Sequence, residues 1–367
     1  MIRPLFATIM KIHGLFSPFF RERGFLSLLS AMLALPACTG SEARQTADPV
    51  VVAYVTSWSD VMPDPARVTH VNYAFGHVSD SFDGLRIDNE ARLRSIVALK
   101  DASPDIKVLL SVGGWGSGRF SEMAASDKYR AAFAAECARV VDEIGLDGID
   151  IDWEYPTSSA ADISSSPEDT DNFTLLMKEI RSAIGPGKLL TAATVCSAQY
   201  IDFPSILPFV DFINIMSYDM GWAPFHNAPL RHADPEGNIS PIVAGWTVDK
   251  AVSAHLEAGI PKEKLVMGMP LYGRAASNSP YSGFSDYRDI RGPVEGHTEI
   301  WDEIARVPYY ADETGRLVLG FDNIRSISEK CDYILEKGLR GGMYWDYAGD
   351  NDAGDLTRTI ASKILGR

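Results

Sequence analysis

The chain has 367 residues, of which 46% are hydrophobic and 23% charged, enough apolar content for one large domain or two ordinary ones. Its formal net charge is −15. That balance argues against nucleic-acid binding through a general basic surface and reads first as solubility.

Residues 1–38 do not read as fold. Lys11, Arg21 and Arg23 precede an apolar run over 25–35, the length of a signal-peptide core and too short to span a bilayer. The run ends in Leu35-Pro36-Ala37-Cys38, which resembles the bacterial lipoprotein box. There the cysteine is lipidated and becomes the first residue; the alternative is ordinary secretory cleavage near Ala37. Met10-Lys11 is a second candidate start. The expectation is export across the inner membrane and a lipid anchor on Cys38. Residues 39–49 are small and polar, a tether between anchor and domain.

From residue 50 onward strand-like and helix-like segments alternate. Strand patterns occupy 50–56, 70–75, 107–112, 148–153, 189–195, 212–217, 265–270 and 341–345. Helical patterns occupy 89–100, 128–144, 167–184, 247–258, 324–337 and about 354–365. Eight strands with intervening helices predict an α/β fold, a (β/α)8 TIM barrel over 50–366. In that fold chemistry sits at the C-terminal ends of the strands. Residues 275–318 form a short insertion between strands 7 and 8. Tyr309, Tyr310 and the Glu313-Thr314-Gly315-Arg316 turn predict a short hairpin within it. With Cys38 assigned to lipid, Cys137, Cys196 and Cys331 remain, an odd number that argues for buried free thiols rather than a disulfide framework. No Cys or His cluster has zinc spacing, and His226 and His232 read as loop polar residues. No metal and no organic cofactor is expected.

The most informative stretch is Asp147-Gly148-Ile149-Asp150-Ile151-Asp152-Trp153-Glu154-Tyr155-Pro156. Alternate strand residues face the same way, so Asp150, Asp152 and Glu154 share one face at spacings of about 6–7 Å. Ile149, Ile151 and Trp153 take the other. A strand built for burial alone would not carry three carboxylates, because unpaired buried charge is costly or forces protonation. Three negative charges in one pocket repel, so at least one proton is shared or held. Glu154, at the strand's C-terminal end, is placed for a raised pKa and general-acid work. The usual retaining glycosidase sets two carboxylates on opposite sides of the scissile bond, which acids along one strand do not. A substrate that brings its own nucleophile fits instead, such as a 2-acetamido sugar acting through its carbonyl oxygen. Asp147 has the opposite parity and reads as a structural strand-start hydrogen bonder.

This run resembles the catalytic strand of glycoside hydrolase family 18, the chitinases and endo-β-N-acetylglucosaminidases. Leu110-Ser111-Val112-Gly113-Gly114-Trp115 resembles the family's third-strand motif and Met216-Ser217-Tyr218-Asp219 its sixth. Gly268-Met269-Pro270-Leu271-Tyr272-Gly273-Arg274 resembles the seventh, and Gly341-Gly342-Met343-Tyr344-Trp345 the eighth. They occur in family order, and the resemblance covers roughly residues 50–366.

The resemblance implies endo-acting, retaining hydrolysis of β-1,4-linked N-acetylglucosamine, with chitin and its oligosaccharides as first choice. It implies Glu154 as general acid and base, Asp152 turned to the acetamido nitrogen, Asp150 sharing a proton with Asp152, and Tyr218 donating to the acetamido oxygen. Trp345 would floor the −1 sugar site, with Met216 beneath the sugar. Asp219 would contact sugar hydroxyls or the neighbourhood of Asp152. Tyr54, Phe75, Trp115 and Tyr272, with Trp58 and Trp222, are further aromatic candidates, as sugar platforms or as barrel filling. Arg274 would bind sugar or pair with a carboxylate. Ser111, Gly113 and Gly114 would serve backbone geometry near the acids. The short insertion implies a shallow, open cleft. The same chemistry would cut the chitobiose core of N-glycans or peptidoglycan. The rival of another class is a sugar-binding lectin on a dead barrel. Expected partners are the polysaccharide and, through the anchor, a membrane, with the chain a monomer.

Overall fold

The computed structural model describes residues 48–367. The expectations for the signal segment, Cys38, the alternative start at Met10 and most of the tether lie outside the described residues. Runs rich in Val, Ile and Leu, apolar on both faces, suit parallel strands covered on both sides. They form β1 Val50–Thr56, β2 His70–Val78, β3 Lys107–Gly113, β4 Gly148–Asp152, β5 Leu189–Val195, β6 Phe212–Met216, β7 Leu265–Pro270 and β8 Gly341–Trp345. Each pairs in parallel with its neighbours in chain order. β1 pairs with both β8 (Val50↔Gly341) and β2 (Val52↔His70), which closes the sheet into a barrel and leaves it no edge.

The main outer helices are α1 Glu90–Val97, α2 Phe120–Ala125, α3 Asp127–Ile144, α4 Asp169–Ile184, α5 Phe203–Ile206, α6 Val248–Glu257, α7 Ile324–Lys337 and α8 Asp355–Leu365. Their ends follow local chemistry. Ser126 caps α3 by accepting from the Tyr129 N–H, and Gly145 stops it in a left-handed conformation. Asn323 and Ser326 form a reciprocal capping box on α7. Two short helices, α2 and α5, escape a periodicity reading because four to six residues show less than two turns.

The insertion departs from the expected short hairpin. Five strands, Tyr272–Ala275, Phe284–Asp286, Thr298–Asp302, Val307–Ala311 and Leu317–Gly320, make one antiparallel sheet. The hairpin across Asp312–Arg316 is present, but as two strands of five. The sheet has its own small core of Ala275, Tyr310, Val318, Leu319 and Phe321. Strands of three to five residues carry little period-two signal, and the pairing of Arg274 with Gly320 is long-range, so pattern alone understates the element.

Where the sheet returns to the barrel, Asp322 meets Lys330 of α7 in full burial. The Lys330 Nζ donates to Asp322 Oδ1 at 2.6 Å and Oδ2 at 2.7 Å, and Ser326 Oγ donates to Oδ1 at 2.6 Å. Cys137 and Cys331 are buried free thiols, as expected, and Cys196 is free but only half-buried. Replacing one partner of a buried pair strands the other charge. Lys330→Ala is therefore expected to lower unfolding stability by about 3–5 kcal/mol, measured by urea denaturation at neutral pH.

Candidate active site

The acidic run sits at the mouth of the barrel, where the C-terminal ends of the strands open. β4 ends at Asp152, so Glu154 lies two residues past the strand rather than in it. Asp150 and Asp152 are nonetheless buried on one face and Trp153 on the other, its ring stacked on Phe120 at 5.2 Å. The neighbouring strand must come close to let this happen. Gly113 has φ +133°, and a Cβ there would lie 2.0 Å from the Asp152 carbonyl oxygen. Gly114 has φ +92°, donates its N–H to that same oxygen at 2.9 Å, and leaves room for the Phe75 ring. Glycine is required at both positions.

Asp150 is the best-held group in the site. Its Oδ2 accepts from Tyr54 Oη at 2.9 Å and Ser111 Oγ at 2.8 Å. Its Oδ1 accepts from Thr191 Oγ1 at 2.5 Å and Asn214 Nδ2 at 3.3 Å. Four barrel strands besides β4 thus send a donor to one carboxylate. This corrects three expectations. Tyr54 is buried and serves Asp150 through its hydroxyl. Ser111 contributes its side chain and not only its backbone. Among the described residues no hydrogen bond joins Asp150 to Asp152, because both Asp150 oxygens are occupied.

Burial pushes the Asp150 carboxyl up, and its four donors oppose that. Asp152 has no such help: its Oδ1 is buried without a partner. Burial, then the charges of Glu154 and Asp150, hold its pKa well above the usual range. The proton of the pair accordingly resides on Asp152. Glu154 is pushed up to about 7, by burial first; a hydrogen bond from Tyr155 opposes the shift and the charge of Asp219 adds to it. A carboxyl near neutrality is suited to both proton donation and return.

Tyr218 follows β6 and is buried, its hydroxyl 3.9 Å from the Met343 sulfur. Burial and then the charges of Asp152 and Glu154 raise its pKa well above ordinary, so it stays a donor. Met216 ends β6 half-buried. Trp345 ends β8 half-buried, stacked on Phe75 at 5.6 Å and tilted against Tyr54 at 5.7 Å and Trp58 at 6.4 Å. Arg274 resolves its two readings by pairing with Asp219, Nε to Oδ1 and Nη2 to Oδ2, both at 2.7 Å. Its guanidinium also lies about 5 Å from the rings of Trp222, Tyr272 and Phe284. Trp58, Trp115 and Trp222 are 68%, 64% and 62% exposed, far too open for barrel filling, whereas Phe75 and Tyr272 are buried. Asp147 is structural, accepting from Lys100 Nζ and the Val108 N–H, each at 2.8 Å.

Sequence reasoning missed Thr191, Asn214, Tyr155, Tyr200 and Phe284. Tyr155 stacks on Tyr200 at 5.4 Å and meets Trp115 edge-on at 6.4 Å. Parity along β5 and β6 places Thr191 and Asn214 on a strand, but which polar residue faces the acids is a matter of register. His226 lies in a loop, as read, but is buried there with its ring against Asp302.

Comparison with known proteins agrees with this geometry. The family model described as glycosyl hydrolases family 18 matches residues 50–350. Chitinase A1 of Niallia circulans is 30% identical over 93% of this chain, which spans 61% of that relative's length. Mouse chitotriosidase-1 is 32% identical over 80% of this chain and 72% of its own. Among solved structures, a family 18 N-acetylglucosaminidase from Paenibacillus barengoltzii superposes with TM-score 0.76 at 32% identity, covering 86% of this chain and all of its own. A group IV chitinase of Ostrinia furnacalis, in complex with allosamidin, gives TM-score 0.76 at 30% identity, covering 87% and 99%.

Asp152 and Glu154 both bind their protons more tightly folded than unfolded. The folded chain holds more protons between the ordinary carboxylate range and about pH 7, so these groups make stability fall as pH rises through that window. Asp152→Asn removes one of the two groups that are pressed to lose a proton as pH rises. Its melting temperature at pH 8 is expected to exceed that of the wild type, with the gap shrinking toward pH 4, as read by thermal unfolding at both values.

Proposed function

The chain belongs to glycosyl hydrolases family 18, and on that premise we propose that it hydrolyses β-1,4-linked N-acetylglucosamine polymers, chitin and its oligosaccharides, with retention. The observation that carries this reading is the set Asp150, Asp152 and Glu154 with the Tyr218 hydroxyl beside them, one acid anchored, one holding a proton, and one near neutrality.

In this reading the substrate's own acetamido group is the nucleophile. Glu154 protonates the glycosidic oxygen. The acetamido carbonyl oxygen attacks the anomeric carbon as the bond to the leaving oxygen breaks, giving a cyclic oxazolinium ion. Asp152 accepts a hydrogen bond from the acetamido N–H through its unprotonated oxygen, and the anionic Asp150 behind it offsets the positive charge. The Tyr218 hydroxyl donates to the carbonyl oxygen and fixes it near the anomeric carbon, where positioning contributes several kcal/mol. Water then adds to that carbon, giving its proton to Glu154, and the ring opens with net retention. Asp150 supplies a fixed negative charge behind Asp152. Trp345 packs against the apolar face of the pyranose, and Asp219 with Arg274 addresses its hydroxyls. Trp58, Trp115 and Trp222 are open platforms for further sugar units. Export with lipidation at Cys38, and action as a monomer, are part of the same proposal and rest on the sequence.

The test is product analysis by mass spectrometry after incubation of residues 39–367 with chitohexaose and, separately, with a high-mannose glycoprotein. Short chitooligosaccharides from the first alone are expected; release of glycans from the second would move the reading to the N-glycan branch. Glu154→Gln is expected to lose turnover by at least 10²–10⁴-fold while still binding the oligosaccharide, read by calorimetry. Because Glu154 must be protonated to act, kcat/KM is expected to fall as pH rises through about 7. A substrate with a free amine at −1 is expected to be inert, and its rapid cleavage would sink the substrate-assisted mechanism.

A further inference from the structure

Asp219 is an unusual residue to hold still. It lies past the end of β6 in a left-handed conformation, φ 54°, which side chains other than glycine's adopt seldom. Its carboxylate is fixed by Arg274, but its backbone is fixed by another residue. Asn227 is 1% exposed. Its Oδ1 accepts from the Asp219 N–H at 2.9 Å, its Nδ2 donates to the Tyr272 carbonyl at 3.3 Å, and its own carbonyl accepts from the Met220 N–H at 3.0 Å. One buried amide thus ties the segment after β6 to the first strand of the insertion sheet, two residues before Arg274.

The residue before it anchors the tie. His226 Nε2 lies 3.1 Å from Asp302 Oδ2 in the last-ordered strand of the insertion sheet, and Ser240 Oγ donates to the same oxygen at 2.5 Å. Asp302 Oδ1 accepts the N–H groups of Ile304 and Ala305 at 2.9 and 2.8 Å. Burial pushes the Asp302 carboxyl up, but these bonds outweigh it and hold it well below the ordinary range. The Tyr309 ring closes on His226 edge-on at 5.4 Å. The segment cannot drift without breaking a buried, multiply hydrogen-bonded contact.

We propose that Asn227 is a positioning residue that acts on Glu154 through Asp219, with the His226–Asp302 pair clamping it from the insertion side. The insertion sheet in this view sets the charge environment of the acid as well as bordering the cleft. Asp219 is the like charge that raises Glu154 from the β6 side. The other groups facing Glu154 are Asp152 and Tyr155 from β4 and its loop, and Tyr218 from β6; Arg274 stands behind Asp219. Asn227 touches none of the reacting atoms, so its effect must pass through Asp219.

The inference rests on the proposed hydrolysis, and the test separates the two. The pH profile of kcat/KM is measured on chitohexaose for the wild type, Asn227→Ala, Asp219→Asn and the double variant, alongside thermal melts. Asn227→Ala is expected to move the alkaline limb to lower pH by on the order of half to one unit and to lower kcat/KM roughly tenfold. Asp219→Asn moves the limb the same way, and the double variant moves it no further, since two residues acting through one interaction are not additive. A limb that stays in place in Asn227→Ala, or shifts that add in the double variant, would overturn the inference and leave a purely structural tie. If Asn227→Ala does not fold, Asp302→Asn carries the test: the limb should move in the same direction by less, and an unmoved limb overturns the proposal. A wild type inactive on chitohexaose would defeat the proposed function itself, and this inference with it.

Discussion

The arrangement of the barrel mouth turns on one buried carboxylate with four donors. Asp150 lies fully out of water, and an isolated charge there would be prohibitive. Tyr54, Ser111, Thr191 and Asn214 remove that penalty by satisfying both oxygens. The donors come from β1, β3, β5 and β6, so the carboxylate also gathers strands from both sides of β4. Once Asp150 is held as an anion, Asp152 beside it becomes the group that keeps a proton, and Glu154 beyond them is lifted toward neutrality. The three acids therefore differ in state because they differ in partners, although they repeat the same residue chemistry along one run.

Around this centre the cleft is built from two kinds of aromatic. Phe75, Tyr54 and Tyr272 are buried and support other groups. Trp58, Trp115 and Trp222 stand open at the rim, and Trp345 lies between the two classes, resting on Phe75. Open indoles are costly to display to water, and three around one acidic mouth fit a ligand whose faces are apolar and whose edges are hydroxylated. The insertion supplies the remaining wall. Its strands carry Tyr272, Arg274, Phe284 and Asp302, and its clamp through His226 and Asn227 reaches the residue that opposes Glu154.

Much of this was legible in advance because it is local. The β1, β5, β7 and β8 boundaries, the start of β2, β3, β4 and β6, and helix α7 follow from runs of apolar residues and from caps within a few positions. The acids announced themselves because three carboxylates at alternate positions have no economical structural use. What escaped was either too short or too distant in sequence. α2 and α5 complete less than two turns, and the strands of the insertion find partners as far away as Arg274 and Gly320. Tyr54 read as a sugar platform or as filling, because its actual partner is met only through a hydroxyl bonded across 96 positions.

The sequence by itself determined the barrel class, the order of its motifs, the acidic face with Glu154 at its outer end, and the family, since each is written in spacing along a single stretch of chain. Only the tertiary structure decided which acid is anchored, which holds the proton, that Arg274 pairs with Asp219, and that His226 and Asn227 clamp the loop between barrel and insertion. Those outcomes depend on burial and on partners brought from other strands. A carboxylate's state is set by the sum of desolvation, neighbouring charge and donated hydrogen bonds, and that sum exists only once the chain has closed around it.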